Sequence, residues 1–118
     1  MTPIIQQQPG QVYRIDKFQV PEAARAEFIQ NVSNTQAFIQ TLPGFVQDFI
    51  FGQIGGPGTF NLITMVVWES ADALDSAKQA VMAKHAEIGL NPKELFDRLG
   101  IQADLANYSP LEVSHATQ

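Results

Sequence analysis

The chain has 118 residues, of which 45% are hydrophobic, and its formal net charge is -5. A chain of this length builds one domain with a modest core. Its seven Lys and Arg residues are scattered, which argues against a nucleic-acid partner or an anionic-membrane surface. It has no cysteine, so disulfides, thiolate metal sites and thiol nucleophiles are excluded.

The two ends of the chain are polar. Residues 1–11 are rich in Gln and Pro without periodicity, and we interpret them as a flexible N-terminal arm. A single domain is predicted over residues 12–113, and residues 114–118 form a C-terminal tail. The longest apolar run, Leu62–Trp68, is far shorter than the roughly 20 residues of a membrane span. The start lacks the basic and apolar regions of an export signal, so the expected location is the cytoplasm, without membrane attachment.

Strands and a helix are predicted for the first half of the domain. Residues 12–20 form the first strand. Proline suits a first helical position, so Pro21 opens a helix over residues 21–41, and the Pro43-Gly44 pair stops it. Two strands, over residues 45–54 and 59–68, then flank a turn rich in Gly and Pro and are predicted to form a hairpin.

The second half continues with two helices and a last strand. Ser70 can cap a helix that runs to about residue 88. The Asn91-Pro92 pair supplies a cap and a first-turn proline for a short helix over residues 92–99. Residues 101–113 provide the last strand. This order of elements predicts an α+β, ferredoxin-like split βαβ fold, in which helices cover one face of a four-stranded antiparallel sheet.

The two hairpin strands are apolar on both faces. Phe49 and Phe51 alternate with apolar neighbours in the first strand, as Val66 and Trp68 do in the second. A sheet with one solvated face should instead alternate apolar with polar residues. Because the helices cover one face and the chain has no further layer for the other, we expect a homodimer whose two sheets pack together.

Three segments carry a resemblance to a known family. They are the strand end Phe18-Gln19-Val20-Pro21, the helix stop Leu42-Pro43-Gly44-Phe45 and the strand-to-helix passage Trp68-Glu69-Ser70. Over nearly its whole length the chain resembles the antibiotic-biosynthesis-monooxygenase family. The resemblance implies a dimeric α+β barrel. It also points to a family of cofactor-free oxygenases of polyketide quinols, quinol monooxygenases, haem-degrading monooxygenases and members without known activity.

Three side chains are candidates for catalysis: His85, Trp68 and Asp16. His85 extends the apolar stripe of the second helix, where it could shuttle a proton, bind a metal or simply be a partly buried structural residue. Trp68 could orient an aromatic ring or only pack in the core. In haem-degrading relatives a helix histidine ligates iron, a strand tryptophan packs on the porphyrin and a first-strand asparagine completes the site. The resemblance places His85, Trp68 and Asp16 at these three positions.

The predicted substrate pocket is mainly apolar, with a few polar groups. Its candidate substrate-binding residues lie on the first helix and the sheet strands: Phe28, Phe49, Phe51, Thr64 and Tyr108. The resemblance implies that Thr64 replaces an asparagine that polyketide-quinol oxygenases often carry four residues before the tryptophan.

These features favour a cofactor-independent monooxygenase that acts on a small aromatic or quinol-like compound and O₂. An electron-rich quinol that is deprotonated in a dry pocket can pass an electron to O₂ itself, so no metal or flavin is expected. Trp68 would orient the ring, His85 would accept or shuttle the proton, and Phe28 with Phe49 would exclude water. A haem-degrading monooxygenase is one alternative. A non-catalytic dimer that binds a small molecule is another, because a shared fold does not confer shared chemistry.

Overall fold

A computed structural model describes residues 9–111 and has a four-stranded antiparallel sheet and three α-helices within them. The strands are β1 (Val12–Gln19), β2 (Phe45–Gly52), β3 (Leu62–Trp68) and β4 (Gln102–Tyr108), and the helices are α1 (Arg25–Ile39), α2 (Ala71–Glu87) and α3 (Pro92–Leu99). The strand order is β2-β3-β1-β4, and every neighbouring pair is antiparallel. The predicted ferredoxin-like α+β fold is confirmed. None of the helices in this part of the chain is long and apolar enough to cross a membrane.

The first helix is shorter than the sequence predicts. Pro21 is extended, with ψ 145°, and is followed by a 3-10 turn at Glu22–Ala24 before the α-helix begins at Arg25. Beyond the last helical turn the N–H of Thr41 donates to the C=O of Phe38 at 3.0 Å, which is a tighter, three-residue spacing. Pro21 therefore lies before the first helical position and not in it.

The β2–β3 hairpin also has shorter strands than predicted. Its ladder stops at Gly52 and resumes at Leu62. Between them Gly56 has a φ of +89°, and Pro57 has no N–H to donate to a ladder. These residues therefore form a long connecting loop, where the sequence analysis had extended both strands by several residues.

The capping signals of the second half are confirmed. The Ser70 Oγ accepts a hydrogen bond from the N–H of Ala73 at 3.0 Å and caps α2. The Asn91 Oδ1 accepts one from the N–H of Glu94 at 3.1 Å and caps α3. Gly100 ends α3 in the left-handed conformation, with φ 72°. Such caps satisfy backbone groups that have no partner inside the helix.

The last strand ends earlier than predicted. β4 stops at Tyr108, and the sequence analysis had continued it to residue 113. Residues 1–8 and 112–118, which include most of the predicted arm and the predicted tail, lie outside the described residues.

The core lies between the helices and one face of the sheet. One cluster is aromatic: the Phe18 ring meets the Phe28 and Phe96 rings edge to face, with centroids 4.8 and 5.8 Å away. The second cluster surrounds Trp68, whose ring Phe45 meets edge to face at 6.1 Å. Such pairs contribute more than their buried area alone. Members of both clusters line the cavity described below.

A glycine sets the distance between β2 and α2. Gly44 has φ +82°, and a Cβ at this position would overlap the Cβ of Ala73 in the first turn of α2. Its C=O accepts a hydrogen bond from the N–H of Glu69 at 2.9 Å. Only glycine fits both the positive φ and the close approach. Gly44 thus holds the start of β2 against the segment that leaves Trp68.

Candidate functional site

A cavity of about 340 Å³ lies between the sheet and the three helices. Its volume falls within the range of roughly 300–1,000 Å³ that is typical of small-molecule sites. Apolar side chains from both core clusters form most of its surface. Polar side chains of the sheet also line it, namely the buried or half-buried Arg14, Asp16 and Thr64 and the exposed Asn107, as does half-buried His85 of α2.

Strand register places four polar side chains side by side on the sheet wall. Alternate residues of β1 face the helices, so Arg14 and Asp16 share the face of Phe18. Asp16 pairs with Thr64 of β3, and Arg14 pairs with Asn107 of β4. Because paired residues lie on the same face of a sheet, these side chains form one polar strip from three neighbouring strands.

Hydrogen bonds connect the strip. The Arg14 Nε donates to the Asp16 Oδ1 at 2.7 Å, and the Arg14 Nη1 donates to the Asn107 Oδ1 at 3.1 Å. The Arg14 and Asp16 side chains are 28% and 22% exposed. A charge-assisted bond of this length at partial burial fixes the orientation of both groups.

Asp16 is harder to ionise than an ordinary aspartate. Burial raises its pKa above the usual 3.8, and the charge and hydrogen bond of Arg14 lower it without cancelling that effect. The nearby charge of Asp104 raises it further. Asp16 is therefore a carboxyl group whose protonation a ligand in the cavity can change.

His85 faces the cavity from the last turns of α2. Its Nε2 is buried and has no hydrogen-bond partner among residues 9–111. Burial lowers the pKa of the imidazole below 6.5, so His85 is neutral near pH 7. A buried nitrogen without a partner costs stability. In a cavity wall, such a nitrogen is available to a ligand.

Two of the aromatic residues that the sequence predicts for the site also line the cavity. Trp68 and Phe28 are each 2% exposed and face it from β3 and α1. Asp16, Thr64 and His85 complete the set of predicted site residues that the structure brings together. The lining therefore includes all three predicted catalytic residues and two of the predicted substrate-binding residues.

Phe49, Phe51 and Tyr108 do not line the cavity. The Phe49 and Phe51 rings stack at 5.6 Å on the opposite face of the sheet, where they pair with Met65 and Ile63. Tyr108 follows cavity-lining Asn107, so it points to that same opposite face. The predicted roles of these three residues in the pocket do not fit their positions.

A bulge explains the misplaced phenylalanines. The pairing of β2 with β3 shifts by one residue between Phe45 and Gln47. Simple alternation would put Phe49 on the face of Phe45, but one extra residue reverses the face of everything after it. Phe45 consequently packs beneath the helices while Phe49 lies on the other side.

The sequence analysis missed Arg14 as a site residue. Its signal was its spacing: Arg14 lies two residues from Asp16, which was a candidate, and therefore on the same face of the strand. Exposed Asp75 and Lys78 of α2, which also line the cavity, were missed as well. Within residues 9–111 no group of three His, Asp or Glu side chains could hold a metal ion.

Known proteins share this architecture at low sequence identity. No protein-family model matches the chain, and no curated protein sequence matches it. SnoaB, a cofactor-independent oxygenase from Streptomyces nogalater, is 22% identical with a TM-score of 0.66, over 88% of this chain and 96% of SnoaB. The heme-degrader MhuD from Mycobacterium tuberculosis is 22% identical with a TM-score of 0.63, over 87% of this chain and 99% of MhuD.

A third similar structure, Rv0793 from Mycobacterium tuberculosis, is 18% identical with a TM-score of 0.64, over 90% of this chain and 100% of that protein. The matches cover nearly whole chains on both sides, so the likeness extends to the entire domain. The chain therefore shares the α+β, ferredoxin-like fold of these proteins, the fold that its sequence predicted.

Proposed function

We propose that the cavity binds a small aromatic or quinol-like compound and that the protein is a cofactor-independent monooxygenase. The observation that carries the proposal is the buried Nε2 of His85, which has no partner within residues 9–111 and lies in a cavity that Trp68 also lines. A neutral imidazole with a free nitrogen accepts a proton from a substrate hydroxyl. The likeness to SnoaB supports the same class of chemistry.

The chemistry follows from the properties of the substrate. His85 takes the hydroxyl proton, and the resulting electron-rich anion passes electrons to O₂. One oxygen atom is then bonded to the substrate carbon, and the other leaves as water, with all four electrons supplied by the substrate. The protein binds and orients the ring through Trp68 and excludes water through Phe28, both of which are 2% exposed. Phe49 has no part in this, because it lies on the other face of the sheet.

Oxygen consumption tests the proposal. Purified protein supplied with a dihydroquinone should consume O₂ faster than the dihydroquinone alone, and His85→Ala should lose most of that difference. Removal of a general base typically lowers the rate by about 10²–10⁴-fold. Glu87→Ala, on the same helix but exposed and outside the cavity lining, is the matched control and should keep the activity. A ligand that binds without any O₂ uptake would support the non-catalytic alternative instead.

Haem degradation is a second candidate function, and the Nε2 atom of His85 favours it. The buried His85 Nε2 is the atom that would hold haem iron, and MhuD shares the fold. Haem would supply the oxygen-activating iron, while Trp68 would pack against the macrocycle. Asp16 stands where the resemblance expects an asparagine; when ionised it accepts hydrogen bonds but cannot donate one as an amide can.

A hemin titration separates the two candidates. If the chain uses haem, a saturable visible absorption band should form with the native protein and vanish in His85→Ala. If the chain is cofactor-independent, no specific band should form, although the dihydroquinone assay should still give O₂ uptake.

We propose further that the working unit of the protein is a homodimer. Within residues 9–111 all three helices pack on one face of the sheet, and the opposite face carries the half-buried Ile15 and Met65 together with Phe51, which is 46% exposed. A second copy of the chain is the economical cover for such a surface, since a symmetric interface uses the same patch twice. The cavity is on the other side of the sheet, so a partner on this face leaves it accessible.

A further inference from the structure

Arg14 keeps unused hydrogen-bond donors in the cavity. An arginine side chain has five N–H groups in a planar fork. Two of them bond to Asp16 and Asn107. Within residues 9–111 the other three, on the two terminal nitrogens, have no protein acceptor. Arg14 is thus held in one orientation by two neighbours while part of its fork remains available.

The other charged groups of the cavity do not perform this role. Asp75 is an anion, and the Lys78 side chain is exposed on α2, where water screens its charge. His85 is neutral near pH 7 because burial lowers its pKa. Arg14, which is 28% exposed, is therefore the permanently charged and partly desolvated cation in the lining.

We propose that Arg14 selects substrates that carry a carboxylate. The carboxylate of an aromatic acid would accept two N–H groups from the terminal nitrogens of Arg14, and its ring would extend between Trp68 and Phe28. This geometry is favourable because a guanidinium fork matches a carboxylate in two parallel bonds. This proposal names the substrate class of the proposed function. It rests on that function in one respect, because both require this cavity to be the ligand site.

The neighbours of Arg14 are consistent with this role. Asn107 is neutral and accepts from Arg14, so it orients the guanidinium without cancelling its charge. Asp16 does reduce that charge when it is ionised. Because Asp16 lies in a partly buried site beside Arg14, it can take up a proton when a second carboxylate arrives, which leaves one anion on the guanidinium.

Calorimetric titration with a matched pair of ligands tests the selectivity. The probes are 2-naphthoate and its neutral amide, 2-naphthamide, at constant pH and salt. The native protein should bind the acid roughly tenfold to a hundredfold more tightly than the amide, as expected for hydrogen bonds to charged groups. Arg14→Met should remove this preference, because the acid loses a charge-assisted pair of bonds and therefore loses more affinity than the amide does. Arg14→Lys, which keeps the charge and loses the fork, should retain only part of it.

Lys78→Met is the matched control, because it removes the other lysine or arginine of the cavity lining. It should keep the preference for the acid. Equal binding of acid and amide by the native protein, binding of neither, or loss of the preference in Lys78→Met but not in Arg14→Met would overturn the proposal. This experiment measures binding and not turnover. A negative oxygenase assay would therefore contradict the proposed activity without contradicting the selectivity of Arg14. If Arg14→Met does not fold, the Arg14→Lys titration decides.

Discussion

His85 is kept neutral by the same burial that places its ring in the cavity wall. A carbonyl or a carboxylate beside Nε2 would hold the ring proton on that nitrogen and leave it without a lone pair for a ligand. No such partner exists among residues 9–111. The lowered pKa has desolvation as its cause, so it should change when a polar ligand enters. The side chain is therefore kept neutral by its surroundings and not by a paired group.

The pKa of His85 makes the stability of the protein depend on pH. Its folded pKa lies below 6.5, so its contribution to stability is complete above that value and is lost as the pH falls through the folded pKa. The melting temperature of the native protein should fall more between pH 7.5 and 5.5 than that of His85→Gln, measured by thermal unfolding. Both proteins retain Asp16, whose raised pKa acts in the opposite direction, so it cancels in the comparison. Equal falls would contradict the assignment.

Replacing Gly44 by alanine adds a single methyl group and should strongly destabilise the protein. Gly44→Ala must pay both for a left-handed backbone, about 1–2 kcal/mol, and for overlap with Ala73, about 1–3 kcal/mol. Urea unfolding should report a loss of roughly 2–5 kcal/mol. Gly56→Ala is the control: its φ is also positive, at +89°, but it has open space around it. A loss at Gly44 no larger than that at Gly56 would show that the close approach costs nothing.

At the scale of secondary-structure elements, the sequence predicts the features that depend on neighbouring residues. It does not predict the feature that depends on pairing between strands. The cap residues Ser70 and Asn91 act on backbone groups three residues away, so the sequence alone predicts α2 and α3 closely. Asp16, Thr64 and Trp68 reach the same cavity because alternation on regular strands holds. The face of Phe49 depends on the bulge in β2, which arises from pairing with β3 and has no signature within β2 itself. The spacing of Arg14 from Asp16 is a local signal for its position, whereas its contact with Asn107, 93 residues away, has none.

Asn61 fastens the end of β1 to the start of β3. Its Nδ2 donates to the C=O of Val20 at 2.8 Å, and its Oδ1 accepts from the N–H of Val20 at 2.9 Å. Val20 is 3% exposed, so Asn61→Ala would leave both of these backbone groups without a partner. We expect a loss of roughly 1–3 kcal/mol in chemical unfolding. Asn34→Ala, which removes one exposed bond with Gln30, should cost much less; similar losses would argue against the fastening role.

At the scale of the whole molecule, the sheet has two faces with different tasks. One face and its helices enclose the cavity, and the other carries apolar side chains of which some, such as Phe51, are largely exposed. If the protein is the proposed dimer, its interface and its pocket can be altered independently. The bulge in β2 contributes to this separation, because it places Phe49 and Phe51 on the face opposite the pocket.

A charge on the uncovered face should dissociate the proposed dimer. Phe51→Lys places a lysine on each copy at the symmetric interface, where like charges meet. Sedimentation velocity at micromolar concentration should show a dimer for the native protein and a monomer for this variant, with a lower melting temperature because the stabilisation by association is lost. Ile88→Lys, at a 57% exposed position after α2, should remain dimeric. A monomeric native protein would refute the dimer.

The position of Trp68 gives the protein a built-in optical reporter. It is the only tryptophan in the chain, it is 2% exposed and it forms part of the cavity wall. Emission excited beyond the tyrosine absorption therefore comes from one indole at one place. An aromatic guest will quench or shift that emission as it enters, so occupancy of the cavity can be followed in the unlabelled protein, in real time and before any chemistry is known.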